Sequence, residues 1–406
     1  ICPLYHFITM TMDISKYIEE MKNIQVSLLN FIDNEEDIQN LIKNFDEIKI
    51  HDDLHKIDLF LHLLSRISNN HHQGSNFFCK IEQIILLFKN DMKNYFTNSE
   101  IFNFFKGNKR LLLILIENDI MIIDEFITKQ LIKGKYLEFK YPQYFSKEIQ
   151  KFVNEKWFKT SPKISEDDSK KIDYKNKNDE NNEEDEKIRN KWIEEVKKKL
   201  PTDFDEKRKT GENGHYICEL IRKDLIDDFI IYINKNSISI DSEINPSIYE
   251  TNPFLLKKEK VNLIEYAAFF GSIQIFKYLI NKGVELSSSL WNYTIHGNNA
   301  EIIQILEENE IKPLDITYRD CLIESIKCHH INIFNHIRGN YISDDYEKSN
   351  EIMRKFLKYY NFCFEPKLRI DESLFFDLCK YDYTLDALLL NKMDALHINE
   401  RRILFL

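Results

Sequence analysis

Apolar residues recur at helical spacing along most of the chain. Ile14, Tyr17, Ile18 and Met21 fall three and four apart behind Asp13, a residue suited to an N-cap, so a first helix is predicted there. The same periodicity predicts helices at about 35–48, 52–68, 77–95, 98–106, 109–118, 121–132 and 146–156. Asn69-Asn70-His71-His72-Gln73-Gly74 reads as a loop, and Pro142 lies in another. Between 161 and 190 the pattern stops. Only Ile164, Ile172, Tyr174 and Ile188 are hydrophobic there, against seventeen charged residues. Such a stretch buries too little surface to offset its ordering entropy, and 161–186 is expected to be a disordered linker. A helix is expected to resume near Asp185 and to run through Trp192, Ile193 and Val196 until Pro201. The chain thus divides into a helical domain, 1–160, and a second domain, 187–406.

The second domain repeats itself. Its clearest unit runs from Asn262 through Leu263, Glu265, Tyr266, Ala267, Ala268, Phe269 and Phe270 to Gly271, then from Ser272 through Ile275, Phe276, Leu279 and Ile280 to Gly283. Ala267 and Ala268 let a first helix approach its neighbours closely. Gly271 permits φ > 0 in the turn between helices, and Gly283 can end the second helix. The apolar stripe returns as Ile302, Ile303 and Leu306, then as Ile333, Phe334 and Ile337. Phe229 to Ile233 looks like an upstream second helix, separated from the clear unit by an insertion at about 241–258. Leu374 to Lys380, followed by Leu385, Leu388, Leu389 and Leu390, reads as a downstream unit, and Gly107 to Asn118 echoes the same register in the first domain.

These residues resemble an ankyrin repeat, with the alanine pair and both glycines in place and departures at Leu263 and Glu265, where the family has Pro and His. The chain is similar to the large ankyrin-repeat families of unicellular eukaryotes, in which a divergent helical domain precedes more regular repeats. The resemblance implies an all-α fold, an α-solenoid of stacked helix pairs whose core rests on Phe276, Leu279, Ile303, Leu306 and Phe334. It also implies that a partner protein binds the concave face and loop tips. Carried over position by position, the partner row is Tyr266, Phe269 and Phe270. Aligning Gly271 with Gly297 adds Asn292, Ile295 and His296, and the next unit adds Glu324, Lys327 and Cys328. The alternative for Tyr266 and Phe269 is packing against a neighbouring unit.

Composition narrows the picture further. Nine Gly, eight Pro and five Ala in 406 residues leave few tight turns, which argues against sandwiches, barrels and doubly wound sheets. A net charge of −11 disfavours nucleic acid, and the basic run Lys197, Lys198, Lys199 sits beside Glu194 and Glu195. Seven cysteines without a Cys-x-x-Cys pair suit a reducing, cytoplasmic setting. The longest apolar run, Leu111 to Ile116, falls far short of the ~18 residues of a membrane helix. The opening residues carry no cationic n-region of a signal peptide, and Met10 or Met12 is the natural start. The end, Arg401 to Leu406, reads as the cut beginning of another unit.

Candidate chemistry is sparse. His51 and His55 have the i, i+4 spacing of helical metal ligands, with His62 as a third, but Asp52 follows His51 where the zincin motif has Glu. Cys321, Cys328, His329 and His330 form one loose group, whereas structural zinc uses two tight ligand pairs. Repeat packing at an inter-helix turn accounts for Cys328-His329-His330. No phosphate-binding loop, dinucleotide fingerprint, nucleophile elbow or kinase signature is present. The expectation is a non-catalytic adaptor or scaffold with a protein partner, no cofactor and no metal. The alternative is a metal-dependent hydrolase using His51 and His55, and a nucleic-acid-associated repeat protein is a third reading. Metal analysis and a gel-shift separate them.

Overall fold

The computed structural model describes residues 14–34, 37–74, 76–132, 134–152, 200–258, 260–343 and 350–363. Among them the chain is all-helical, with no strand; only an isolated antiparallel bridge joins Glu243 and Asn262. No described helix is long and apolar enough to cross a membrane. Asp13, the charged stretch 161–186, the helix expected after it and the unit expected beyond Leu374 lie outside the described residues.

Contacts divide the chain into two compact units. One comprises Ile1–Ile81, Tyr216–Ile244 and Lys260–Leu406; the other comprises Glu82–His215 and Asn245–Glu259. The insertion that interrupts the sequence repeat is therefore the piece that joins the second unit.

In the first unit, α1 (Ile14–Asp33), α2 (Ile38–Glu47) and α3 (Leu54–Asn70) precede the repeats. Asp37 and Asp53 cap α2 and α3 by accepting backbone N–H groups, as N-cap carboxylates do. α4 (Phe77–Leu87) follows, its residues from Glu82 on belonging to the second unit.

The second unit contains α5 (Lys89–Tyr95), α6 (Asn98–Phe105), α7 (Lys109–Glu117), α8 (Glu125–Leu131), α9 (Gly134–Glu138), α10 (Tyr141–Tyr144), α11 (Ser146–Phe152) and α12 (Phe204–Thr210). Its polar interior centres on Lys109. The buried ammonium donates to the Phe139 and Ile248 carbonyls at 3.0 Å each and lies over the rings of Tyr141 and Tyr144. Burial, offset in part by Glu250, lowers its pKa to about 7.

The repeats are helix pairs: α13 (Tyr216–Arg222) with α14 (Ile226–Lys235), α16 (Leu263–Phe270) with α17 (Ile273–Asn281), α18 (Leu290–Gly297) with α19 (Ala300–Glu308), and α20 (Arg319–Cys328) with α21 (Ile331–Tyr341). α15 (Pro253–Leu256) lies in the insertion and belongs to the second unit, while α22 (Asn350–Lys358) stands as a further first helix. First helices pack on first helices, and α14, α17 and α19 pack in the same order. Phe276, Leu279, Ile303, Leu306 and Phe334 are all buried.

One local device recurs at every joint. Each first helix ends in a left-handed residue: Asp224, Gly271, Asn298, His329 and Tyr360, all with positive φ. Four of them close a double backbone cap. Asp224 and Leu225 donate to the Ile221 and Leu220 carbonyls, and Gly271 with Ser272, His329 with His330 and Tyr360 with Asn361 do the same in their own turns. The next side chain reaches back to the preceding unit. Ser272 Oγ donates to the Ile221 carbonyl (2.5 Å), His330 Nδ1 to the Ile295 carbonyl (2.8 Å) and Asn361 Nδ2 to the Ile326 carbonyl (2.9 Å). Each acceptor stands three residues before its own left-handed cap. Asn299 varies the theme, donating to the Gly271 carbonyl at 2.9 Å.

Candidate functional site

The left-handed caps place the middle unit one residue further on than the glycine alignment does. Asn298, with φ 49°, is the counterpart of Gly271, and Gly297 belongs to the helix end. The positions matching Tyr266, Phe269 and Phe270 are therefore Tyr293, His296 and Gly297. Gly297 is needed for proximity: a Cβ there would stand 2.0 Å from the Ala268 carbonyl oxygen.

The row expected to face a partner is largely covered by the chain itself. Tyr266, Phe269, Phe270, Ile295, His296 and Cys328 are buried, while Asn292, Glu324 and Lys327 are part-exposed. Tyr266 receives a hydrogen bond from Arg222 Nη1 of the preceding pair (2.9 Å), and Phe269 stacks on His296 of the following one at 5.1 Å. Both thus pack against neighbouring units. Further along, the cover comes from the other end of the sequence. His71 donates through Nδ1 to the Cys328 carbonyl (2.8 Å) while its Nε2 meets Asp33 Oδ1 at 2.7 Å. His62 stacks on Tyr360 at 4.7 Å, and Gln25 bonds both the Asn361 side chain (2.9 Å) and the Phe362 N–H (2.6 Å).

Where α3 and its following loop meet α18 and α20, histidines collect. His71, His72, His296, His329 and His330 all lie at this junction, beside Cys328, Glu324 and Lys327. His296 Nε2 is 2.6 Å from Glu324 Oε1, and the same oxygen accepts from Lys327 Nζ at 2.5 Å. Burial favours a neutral Glu324, but the His296 and Lys327 partners win and hold its pKa at about 2. Burial pushes His296 down, His72 to about 4, His329 to about 3 and His330 well below the usual imidazole range. It pushes the Cys328 thiol up.

Cys328 Sγ sits 3.4 Å from His296 Nδ1 and 3.7 Å from Nε2. The in-plane bonding directions of the two ring nitrogens point away from each other, so an atom nearly as close to one nitrogen as to the other lies against the ring and in line with neither. With the thiol buried and its pKa raised, this is not an activated nucleophile.

His51 and His55 take no part in the cluster. Asp53, between them, caps α3 through the N–H groups of His55 and Lys56, and the edge of His51 meets Phe45. Among the described residues the one group of three or more possible metal ligands is His296, Glu324 and Cys328. Sequence reading isolated Cys328-His329-His330 but not its completion, because His71 is 257 residues away from Cys328. No protein-family model, no curated protein and no solved structure matches the chain.

Proposed function

We propose that the chain is a non-catalytic interaction protein, an ankyrin-type solenoid working as an adaptor or scaffold. The observation carrying this reading is the repeated joint, in which the same left-handed cap and backward hydrogen bond recur from unit to unit. In such a stack each unit touches its neighbours, and the loops at its edge remain open to a partner. The loop between α19 and α20 fits that role. Leu314 and Ile316 are 74% and 67% exposed there. Ile316 is held at φ 54°, a conformation costly for a β-branched residue, and Tyr318 at φ 58° stacks on Tyr341 at 4.0 Å. A held loop presenting two apolar side chains suits a protein with an apolar pocket.

The test is affinity capture with quantitative mass spectrometry, comparing the full chain with a Leu314→Asp, Ile316→Asp double variant. Thermal unfolding should be unchanged, because both side chains already face water, and specific captured proteins should be lost. An identical captured set in the two proteins overturns the assignment of this loop.

A further inference from the structure

The histidine junction holds donors for which the repeat architecture alone has no use. One ligand atom each from His296, Glu324 and Cys328 lies within 4.8 Å of the others. They stand on adjacent first helices, α18 and α20, so their spacing is set by packed helices. The His296 ring also hydrogen-bonds the Asn70 backbone; with Nε2 on Glu324, that bond falls to Nδ1. A backbone acceptor on one imidazole nitrogen fixes the other as the ligating one, the usual arrangement behind a metal-bound histidine. His330 has the same polarity: Nδ1 donates to the Ile295 carbonyl, and Nε2 is buried without a hydrogen-bond partner. The residue is only 3% exposed.

We propose that His296, Glu324 and Cys328 form a buried three-ligand site for a zinc-class divalent ion. Imidazole, thiolate and carboxylate suit zinc and its neighbours, whereas calcium and magnesium take oxygen ligands. Thiolate and carboxylate together offset the ion's two charges. Binding changes three things in the metal-free arrangement. The ion takes the place of the direct contact between His296 Nε2 and Glu324 Oε1. Lys327, whose side chain is 18% exposed, turns from Glu324 toward solvent. Cys328 rotates its single side-chain torsion to bring Sγ off the ring and onto the ion. The thiol proton passes to bulk water while the neutral imidazole keeps its one proton on Nδ1, so uptake of metal releases acid. His71 lies outside the group whose ligand atoms stand within 4.8 Å of one another.

The experiment uses the purified full chain, loaded with Zn²⁺, freed of excess ion and analysed for metal, with Co²⁺ as the spectroscopic probe. A stoichiometric ion and a thiolate-to-cobalt charge-transfer band are expected. Cys328→Ser and His296→Gln should lose both. Cys321→Ser, which removes another buried thiol of α20 outside the group, should keep both. Should His296→Gln fail to fold by circular dichroism, the nearly isosteric Cys328→Ser decides. A wild-type chain without stoichiometric metal, or a cobalt band surviving in Cys328→Ser, overturns the proposal. Neither readout depends on the partner loop, so this site and that reading fail separately.

Discussion

Gly271 and Gly297 face each other where α16 meets α18. A Cβ on Gly271 would lie 2.6 Å from the Gly297 carbonyl oxygen, and one on Gly297 would lie 2.0 Å from that of Ala268. Neither obstacle is a flexible side chain, so relief requires the helices to part. Gly297→Ala should therefore cost about 1–3 kcal/mol or more, read as a lower thermal midpoint. Gly339 is the control: it lies exposed inside α21 with nothing near a new Cβ, and Gly339→Ala should stabilise by up to about 1 kcal/mol. Lys109 makes a different residue-scale prediction. Its folded pKa, about 7, lies below the ~10.4 of an unfolded lysine. Between those values the unfolded chain binds a proton that the folded chain does not. Stability should then rise with pH across that window, by at most about 1.4 kcal/mol per pH unit from this group. Below pH 7 both states are protonated and the cost of the buried charge is fully present. Urea unfolding at pH 7.5 and 9 should show the rise in the wild type and a smaller one in Lys109→Met; equal slopes would refute the assignment.

Helices in this protein are joined by side chains borrowed from neighbours. Ser272, at the N-cap of α17, makes no side-chain cap; the Asp224 carboxylate of the preceding pair accepts the N–H groups of Gln274 and Ile275 instead, at 3.0 Å each. Asp224→Ala should cost about 0.5–2 kcal/mol, as lost caps do, and raise hydrogen exchange in the first turn of α17. Phe276, buried within α17, should cost roughly 3–5 kcal/mol as Phe276→Ala. An unchanged melting curve would refute the packing of that stripe. Most helices were legible because 3.6-residue periodicity is a local signal. What escaped was local geometry without a compositional mark. The helix expected over 77–95 breaks at Phe88, whose φ of −100° and ψ of 11° end α4, with no Gly or Pro to announce it. Pro142, expected in a loop, lies in the first turn of α10, where a missing N–H costs no helical bond. The left-handed caps at His329 and Tyr360 are likewise invisible to a search for glycine.

The first unit is assembled from three separated stretches, and this explains why the fate of the partner row could not be read from the repeats. A repeat predicts what its neighbours bury, whereas the cover over His296 and Cys328 comes from His71 and its neighbours in a distant part of the chain. No sequence period links them. The same discontinuity makes a prediction about the molecule as a whole. Gln25 in α1 bridges to Asn361 and Phe362 across 336 and 337 residues, and all three are buried. Asn361 in turn donates to Ile326 of α20, so the bridge continues the ladder of backward hydrogen bonds. Gln25→Ala leaves Asn361 Oδ1 short of one donor and strands the Phe362 N–H, a loss of about 1–3 kcal/mol. Because the contact closes a loop of most of the chain, the loss should be felt at both of its ends. Hydrogen exchange followed by mass spectrometry should show faster exchange in α1 and in α22 together, while α7 and α8 of the other unit keep their protection. Faster exchange confined to α1 would mean that the N-terminal helices do not stabilise the end of the repeat stack, and the three-stretch unit would then not act cooperatively.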